Sequence, residues 1–293
     1  MKPNFDYGDP LLKNEAKFQD PFFRRFHLRE APVPFQLDEK ISKSYLFPIF
    51  YADVTCAMGI FMCDYDKAQA ILPHPRMKPV RMTRGRSLVL FSCYEYKNVM
   101  NVKPYNEFAM MIPIMADPIV NVPVLPMVLP FFRKFGYYAI AIPVTSKENQ
   151  LRGRIWGLPK VTREVDIFEQ GGDCVAIAKE ESGTPFIELR VPMRGSITEF
   201  DVATNLYSRL DGDFARSEVC FKGSFKVTKY MKCLARKGLK PDRPYLKMAD
   251  TPSAQILRSL DIEEHPFQLR YAQHMNSTLD LPKPGFGFRP TKG

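Results

Sequence analysis

Short apolar runs, rich in Val, Ile, Phe and Tyr, alternate with turns along most of this chain. Runs of this composition, bounded by turn residues, are typical of β-strands. The pattern predicts strands over 46–62, 87–96, 108–115, 137–144, 162–169, 174–181 and 186–191. The chain is therefore expected to be mainly β.

Three short helices are predicted between and after these strands. The first spans 64–72, with Asp64 in position to cap it, and the second spans 145–154, where Thr145 and Glu148 have the spacing of a capping box. A third covers 253–260. Turn residues at 171–173 and 182–184 separate strand runs, so we expect a meander of three strands after residue 160.

The 293 residues, 45% of them apolar, can bury a full core. Residues 1–44 have prolines and charges without a sustained period, and we interpret them as an extended arm that wraps the body or a neighbouring subunit. Residues 45–280 show no internal repeat or linker and are predicted to form one domain, followed by a tail over 281–293.

Several classes of protein are excluded by composition. The most apolar stretch, 110–132, is interrupted by prolines and polar residues, so no membrane span is predicted. The N-terminus lacks the basic start and apolar core of a signal peptide, and the six cysteines have no CxxC spacing. These features favour a cytoplasmic protein with reduced thiols.

The net charge of +10 is concentrated in the segment 222–247, which we interpret as a solvated basic face. No nucleic-acid-binding signature accompanies it, so nucleic acid is not an expected partner. A basic surface for an acidic partner or a membrane surface is retained as the third of three functional hypotheses.

Motifs for bound cofactors and metals are missing from the sequence. It has no GxxxxGK[ST] loop and no GxSxG elbow, and its four histidines are far apart, with neither HxxxH nor HExxH spacing. No organic cofactor and no metal ion are predicted.

The segment 152–160, RGRIWGLPK, places Lys160 after Trp156, a glycine, a leucine and a proline. An amine in apolar surroundings loses hydration, which lowers its pKa toward the range where it attacks a carbonyl. Lys160 is therefore a candidate Schiff-base nucleophile. The alternative is a lysine whose head group reaches solvent from the start of a strand.

Glu107 is the second candidate, in the segment PYNE that leads into the apolar run 108–115. A carboxylate at the mouth of such a strand can be held in a pocket and transfer protons. It can also simply pair with a basic residue at the strand end.

Together these two segments resemble the acetoacetate decarboxylase family. The family pattern is Tyr-x-Glu before a strand and a later Gly-Arg-Glu-x-x-Gly-aromatic-Pro-Lys-Lys stretch; the counterparts here are Tyr105-Asn-Glu107 and the segment 152–160. The segment 64–75, DYDKAQAILPHP, is similar to a helix of the family. The resemblance covers roughly residues 45–195.

The resemblance implies a closed, cone-like β-barrel with a buried pocket, often in homo-oligomers, and an enzyme without a cofactor. In the family mechanism the catalytic lysine, here Lys160, forms an imine with the ketone of a β-keto acid. The protonated imine accepts the electrons released as carbon dioxide leaves. Glu107 would position the substrate or move protons, and Tyr105, Trp156 and Arg154 are further candidate substrate-binding residues.

The sequence departs from the family pattern at three positions. Val161 stands where a second lysine follows the catalytic one, so a cation that could lower the pKa of the nucleophile is missing. A further family glutamate falls at Ser92, with Glu95 as a possible substitute, and the arginine expected to meet the substrate carboxylate falls near Val54. The arginines that could take its place are Arg81, Arg84, Arg86, Arg152 and Arg154.

About fourteen extra residues separate the two motifs, and they include the apolar, proline-rich stretch 122–132. Beside a pocket, such an insertion could line a site for a bulkier substrate. It could equally form an oligomer contact.

The leading hypothesis is a Schiff-base-forming lyase that acts on a β-keto acid or related oxo compound, most simply by decarboxylation at Lys160. Aldol, retro-aldol or dehydration chemistry on a larger oxo substrate shares the same imine. The second hypothesis is a non-catalytic protein that binds an apolar ligand in the same barrel, with Lys160 pairing to its carboxylate.

Overall fold

The structure is a computed structural model that describes residues 1–4, 13–31, 33–37, 39, 41–118, 134–210 and 212–283. The predicted insertion over 122–132 and most of the predicted tail lie outside the described residues. In the described ranges, no helix combines the length and the apolar character needed to cross a membrane.

Strands dominate the chain, as the sequence pattern predicts. In chain order they are β1 (Arg29–Glu30), β2 (Phe35–Gln36), β3 (Ser42–Lys43), β4 (Leu46–Phe47), β5 (Ile49–Asp64), β6 (Met77–Pro79), β7 (Arg86–Val99), β8 (Tyr105–Ala116), β9 (Phe135–Val144), β10 (Lys160–Thr162), β11 (Val165–Gln170), β12 (Asp173–Lys179), β13 (Pro185–Pro192), β14 (Ser196–Leu210), β15 (Asp213–Lys229), β16 (Leu246–Met248) and β17 (Pro266–Leu279). The α-helices of the described residues are α1 (Tyr65–Ile71), α2 (Lys147–Arg152), α3 (Lys232–Ala235) and α4 (Pro252–Arg258). Short 3-10 helices span Glu15–Lys17, Phe23–Arg25 and Gly153–Trp156.

Seven long strands pair edge to edge until the sheet closes on itself. The ring runs β9, β14, β15, β17, β5, β7, β8 and back to β9. β9 pairs in parallel with β14 on one side and antiparallel with β8 on the other, which closes the ring. The predicted mainly β fold, a closed barrel with a few short helices, is confirmed.

A second sheet, in the order β11, β12, β13, β16, packs on the outside of the barrel. Its first three strands form the predicted antiparallel meander, with the first turn between Gln170 and Asp173. Phe91 and Phe108 of the barrel share a buried cluster with Leu189 of this sheet. This contact explains why the predicted barrel strands are apolar on consecutive residues instead of alternating with polar ones.

Consecutive residues of the barrel strands face opposite sides. Leu90 in β7 belongs to the cluster inside the barrel, whereas Val89 and Phe91 belong to the cluster under the second sheet. Because side chains in a strand alternate between its two faces, only every second residue of a barrel strand can point into the barrel interior.

Two of the predicted helix caps have different outcomes. Asp64 caps α1 by accepting a 3.0 Å hydrogen bond from the backbone N–H of Lys67, as predicted. The predicted Thr145 cap is wrong, because Ser146 accepts the bond from the backbone N–H of Asn149 at the start of α2. Thr145 instead accepts a bond from the backbone N–H of Asn106 in β8. The carboxylate of Glu148 takes no part in the cap and instead accepts hydrogen bonds from Lys43 and Tyr45.

The described part of the predicted N-terminal arm packs against the barrel of its own chain. Phe18, Phe22 and Phe23 form a buried aromatic cluster with Phe50 of β5. Farther along, the amine of Lys43 lies 2.9 Å from a carboxylate oxygen of Glu148 in α2. Both ends of this segment are therefore anchored to the barrel domain.

Candidate active site

The barrel encloses a partly open cavity of about 120 Å³. Its wall is formed by side chains from all seven barrel strands and from the segment at the start of β10. Most of them are apolar or aromatic. Three lining residues have charged side chains: Glu107, Lys160 and Arg270.

Lys160 and Glu107 meet directly in this cavity. The amine of Lys160 lies 2.7 Å from Oε2 of Glu107, with side chains only 6% and 8% exposed. The same amine is 5.8 Å from the centre of the Tyr105 ring. The two sequence motifs are thus brought together in space as one buried pair.

The pairing of three strands positions this pair. Lys160 begins β10 and lies beside Ile142 of β9, while Glu107 in β8 lies beside Val144 of the same strand. Lys160 and Glu107 therefore flank β9 from its two sides, two residues apart along it. Their contact depends on β9 and not on their spacing in the sequence.

The 3-10 helix Gly153–Trp156 packs against the side chain of Lys160 through Gly153. A side chain at Gly153 would place its Cβ 2.9 Å from Cδ of Lys160. Gly157 ends this helix in the left-handed conformation, with φ of 62°, and its Cβ would lie 1.9 Å from the carbonyl oxygen of Arg209 in β14. Only glycine permits this close approach of two backbones.

Burial lowers the pKa of Lys160 from its usual value, and the neighbouring guanidinium of Arg152 lowers it further. The carboxylate of Glu107 opposes both effects because it stabilises the ammonium form. The net effect is a lowered pKa, which increases the fraction of neutral, nucleophilic amine at a given pH.

Arg152 is fully buried beside this pair. Its guanidinium carbon lies 5.1 Å from the centre of the Tyr45 ring. Its three side-chain nitrogens make no hydrogen bond of regular geometry with the described residues, although the Tyr51 hydroxyl is close enough to interact with it. Arg152, one of the arginines suggested as a carboxylate partner, does not line the cavity and is instead a buried cation next to the nucleophile.

Four tyrosines form a continuous aromatic wall near the pair. The ring of Tyr96 lies 4.7 Å from that of Tyr51, 4.8 Å from that of Tyr105 and 5.3 Å from that of Tyr94. Burial raises the pKa of each of these hydroxyls above its usual value, so they remain neutral near pH 7. The wall is thus uncharged and keeps the local dielectric constant low.

Val161 is 39% exposed and faces away from Lys160 along β10. Because side chains alternate along a strand, a lysine at this position would also point away from the cavity. The departure from the family pattern at Val161 therefore removes no cation from the site.

The other predicted substrate-binding residues lie at different distances from the cavity. Tyr105 and Ser92 are fully buried, and Ser92 lies between two cavity-lining positions of the neighbouring strands. Trp156 is buried behind the cavity wall, where its indole N–H donates to the carbonyl of Asp280. Glu95 accepts a hydrogen bond from Thr55 and Arg154 is exposed, and neither lines the cavity.

The remaining arginines suggested as carboxylate partners also lie away from the cavity. Arg86 binds Glu263 and the carbonyl of Cys233, and Arg81 stacks on Tyr65. Arg84 occupies a turn with positive φ. None of these side chains is positioned to meet a ligand inside the barrel.

Arg270 was not among the site residues predicted from the sequence, none of which lies after Lys160. It lies in β17, and its side chain lines the same cavity as Lys160. The available signal was an arginine inside the apolar strand PFQLRYA. In the part of the chain that the structure describes, no three His, Cys, Asp or Glu side chains converge as a metal site would require.

Comparison with known proteins places this geometry in context. A family model described as acetoacetate decarboxylase matches residues 32–212. No curated protein sequence gives a match.

Three solved structures illustrate the similarity in fold. The acetoacetate decarboxylase of Legionella pneumophila is 16% identical, with 94% of this chain and 97% of that chain covered and a TM-score of 0.58. The enduracididine biosynthesis enzyme MppR, complexed with pyruvate, is 12% identical over 80% of this chain and 89% of its own, with a TM-score of 0.54. An acetoacetate decarboxylase-like enzyme from Sphingomonas wittichii RW1 is 12% identical over 80% and 91%, with a TM-score of 0.51. At these identities the likeness establishes a shared fold.

Proposed function

Because the chain belongs to the acetoacetate decarboxylase family, we propose that it is a Schiff-base-forming lyase in which Lys160 attacks the carbonyl of an oxo acid. The observation that supports this proposal is the buried pair of Lys160 and Glu107, 2.7 Å apart in an apolar cavity that lowers the pKa of the lysine. Glu107 is assigned the role of proton acceptor and donor.

The first stage is formation of the imine. Glu107 takes a proton from the Lys160 ammonium, and the neutral amine attacks the carbonyl carbon to form a carbinolamine. Protonation of its hydroxyl and loss of water leave a protonated imine. The proton needed for water to leave is the one that Glu107 accepted, so the carboxylate returns to its starting form.

In the simplest version, the substrate is a β-keto acid and the second stage is decarboxylation. The bond to the carboxylate breaks, its electron pair forms the double bond of an enamine, and the imine nitrogen becomes neutral. The enamine carbon then takes a proton, and water hydrolyses the resulting iminium to release the ketone and the amine. The apolar wall favours this step because charge is neutralised as carbon dioxide leaves.

A second candidate is aldolase or dehydratase chemistry on a larger oxo substrate, through the same imine. It is favoured by the likeness to MppR, one structure of which holds the condensation product of pyruvate and imidazole 4-carboxaldehyde. In this version Glu107 removes a proton from the carbon next to the iminium to form the enamine. The enamine carbon then attacks the aldehyde carbonyl, whose oxygen takes up that proton, and a carbon–carbon bond forms.

Reductive trapping tests the shared intermediate. The protein is incubated with acetoacetate, pyruvate or a larger oxo acid, reduced with sodium borohydride and analysed by intact-mass spectrometry. We expect a mass increase equal to the trapped carbonyl compound minus water plus two hydrogens, and its loss in the Lys160→Ala variant. The trapped compound is the oxo acid itself or, after decarboxylation, the product ketone. Acetone release distinguishes decarboxylation of acetoacetate from the condensation chemistry.

Lys179 provides a matched control, because its amine also lies 2.7 Å from a glutamate but is outside the cavity. Lys179→Ala should retain the adduct. An adduct that persists in Lys160→Ala contradicts the assignment of the nucleophile to Lys160. The absence of any adduct with all carbonyl compounds contradicts the proposal and favours the binding-protein hypothesis.

A further inference from the structure

The cavity has a third charged group, the guanidinium of Arg270, which the imine mechanism does not use. It lies 4.8 Å from the centre of the Phe200 ring, and its Nε donates a hydrogen bond to the amide oxygen of Gln268. The groups that favour its charged form are Tyr137 and Cys56. Burial raises the pKa of both, so both are neutral near pH 7.

Among the described residues, no carboxylate therefore pairs with the positive charge of Arg270. An arginine side chain stays protonated at all ordinary pH values, and a buried cation without a counter-ion is costly. Among the described residues that line the cavity, Glu107 is the sole carboxylate, and it is paired with Lys160. These lining residues thus leave one net positive charge, which suits an anionic ligand.

Arg270 lies across the barrel from the reactive pair. Around the ring of seven strands, β17 is separated by two strands from β8, which holds Glu107, and by two from β9, beside which Lys160 lies. No two strands of such a ring are farther apart. With a strand spacing of about 4.8 Å and the tilt usual in barrels, the opposite backbones are about 13–15 Å apart.

We propose that Arg270 binds the carboxylate of the substrate, and that the substrate is an oxo acid whose carboxylate is separated from the reacting carbonyl by several carbons. This inference rests on the imine mechanism proposed for Lys160. The side chains of Met58, Leu206 and Phe221 line the cavity with these two groups, so an apolar or aromatic connecting chain is expected.

The carboxylate bound by Arg270 is not the group that leaves in a decarboxylation. In a β-keto acid one carbon separates the two groups, which is too short to reach both Lys160, beside Ile142 of β9, and Arg270, whose neighbour on β9 is Tyr137, five residues along the strand. A guanidinium also stabilises a carboxylate in the ground state and loses that interaction as carbon dioxide forms, which slows decarboxylation. Arg270 thus selects and orients the substrate while the bonds change at Lys160.

Two carbonyl probes of equal chain length test this assignment. One is 6-oxoheptanoate, with four methylene groups between ketone and carboxylate, and the other is 2-heptanone, in which a methyl group replaces the carboxylate. Their rates of borohydride trapping are compared in the wild type, in Arg270→Gln and in the control Arg258→Gln, an exposed arginine in α4.

We expect the wild type and Arg258→Gln to trap the keto acid at least about tenfold faster than the ketone, because a charge-assisted hydrogen bond is worth that factor or more. Arg270→Gln should trap both at similar rates, with the ketone unchanged. A tenfold preference that survives in Arg270→Gln overturns the proposal, as does equal trapping of the two probes by the wild type.

Binding of hexanoate, which has no carbonyl, separates this proposal from the imine mechanism. In the double variant Lys160→Met/Glu107→Gln, which cannot form an imine and keeps the cavity charge, calorimetry should show hexanoate binding at least about tenfold more tightly than hexanamide. Equal binding of the two overturns the Arg270 proposal even if Arg270→Gln fails to fold. Failure of trapping in the wild type, with the hexanoate preference retained, rejects only the mechanism at Lys160.

Discussion

The amine of Lys160 is under opposing influences, and each can be assigned to one neighbour. Burial and the guanidinium of Arg152 favour the neutral form, while the carboxylate of Glu107 favours the ammonium form. A change at either neighbour should therefore move the pH dependence of imine formation in a direction that follows from its charge.

Glu107→Gln removes the carboxylate that stabilises the ammonium form. The pKa of Lys160 should fall further, so the pH of half-maximal imine formation moves downward. Turnover should drop by about 10²–10⁴-fold because proton transfer is lost. The rate of trapping and the turnover number, each measured against pH, separate the two effects. An unchanged pH midpoint would show that Glu107 does not act on the amine.

Arg152→Met removes a like charge from beside Lys160. The pKa of the lysine should rise toward its usual value, so imine formation needs a higher pH while its plateau rate at high pH is retained. If Arg152 had a purely structural role, the variant would change the plateau rate of imine formation or the unfolding temperature, and the pH midpoint of imine formation would stay the same. Arg194→Met, at an exposed position, is the matched control and should leave the profile unchanged.

At the scale of elements, the turn from the 3-10 helix Gly153–Trp156 into β10 determines where the lysine points. Its close contact with β14 depends on Gly157, which has positive φ and no room for a Cβ. Gly171, in the turn between β11 and β12, has nearly the same φ of 61° but open space around it. The two positions separate the cost of backbone conformation from the cost of a steric clash.

Gly157→Ala should destabilise the protein by at least about 3 kcal/mol, because a clash with the carbonyl of Arg209 adds to the cost of positive φ. Gly171→Ala should lower the free energy of unfolding by only about 1–2 kcal/mol, because it adds the cost of positive φ without a steric clash. Urea unfolding of both variants measures the difference. Equal losses of stability in the two variants would mean that β14 moves aside. The contact between Gly157 and Arg209 would then not constrain the turn that leads into β10 and Lys160.

At the scale of the whole molecule, the N-terminal segment is tied to the domain behind the active site by a buried ion pair. The side chains of Lys43 and Glu148 are 3% and 1% exposed, and Glu148 also accepts a 2.8 Å hydrogen bond from the Tyr45 hydroxyl. Because Glu148 lies in the helix that ends at Arg152, this pair connects the segment to the surroundings of the nucleophile.

Lys43→Met should destabilise the protein by about 3–5 kcal/mol, since it leaves a buried carboxylate without its counter-ion. The double variant Lys43→Met/Glu148→Gln should recover much of this loss. Lys67→Met breaks an exposed pair with Asp261 and should cost no more than about 1 kcal/mol. A loss in Lys43→Met as small as that in Lys67→Met would contradict a structural role for the buried pair.

The sequence by itself determined the local features of this protein. Composition and turn residues predicted the mainly β fold, the three-strand meander and the Asp64 cap, because strand propensity and turn chemistry depend on neighbouring residues. The motif residues Tyr105 and Glu107 and the segment 152–160 gave the resemblance to the family. The Thr145 cap was wrong because Thr145 and Ser146 both have suitable hydroxyls, and the pairing with β8 decides between them.

Only the tertiary structure decided which side chains share the cavity. The closure of the ring brings β17 opposite β8 and β9, which places Arg270 in the same cavity as Lys160 although 110 positions separate them in the sequence. Because side chains alternate along β10, Val161 points outward from the barrel while Lys160 faces the cavity. Folding also buries Arg152 beside Lys160. Register and ring closure are set by contacts between distant segments, and no local pattern of residues contains them.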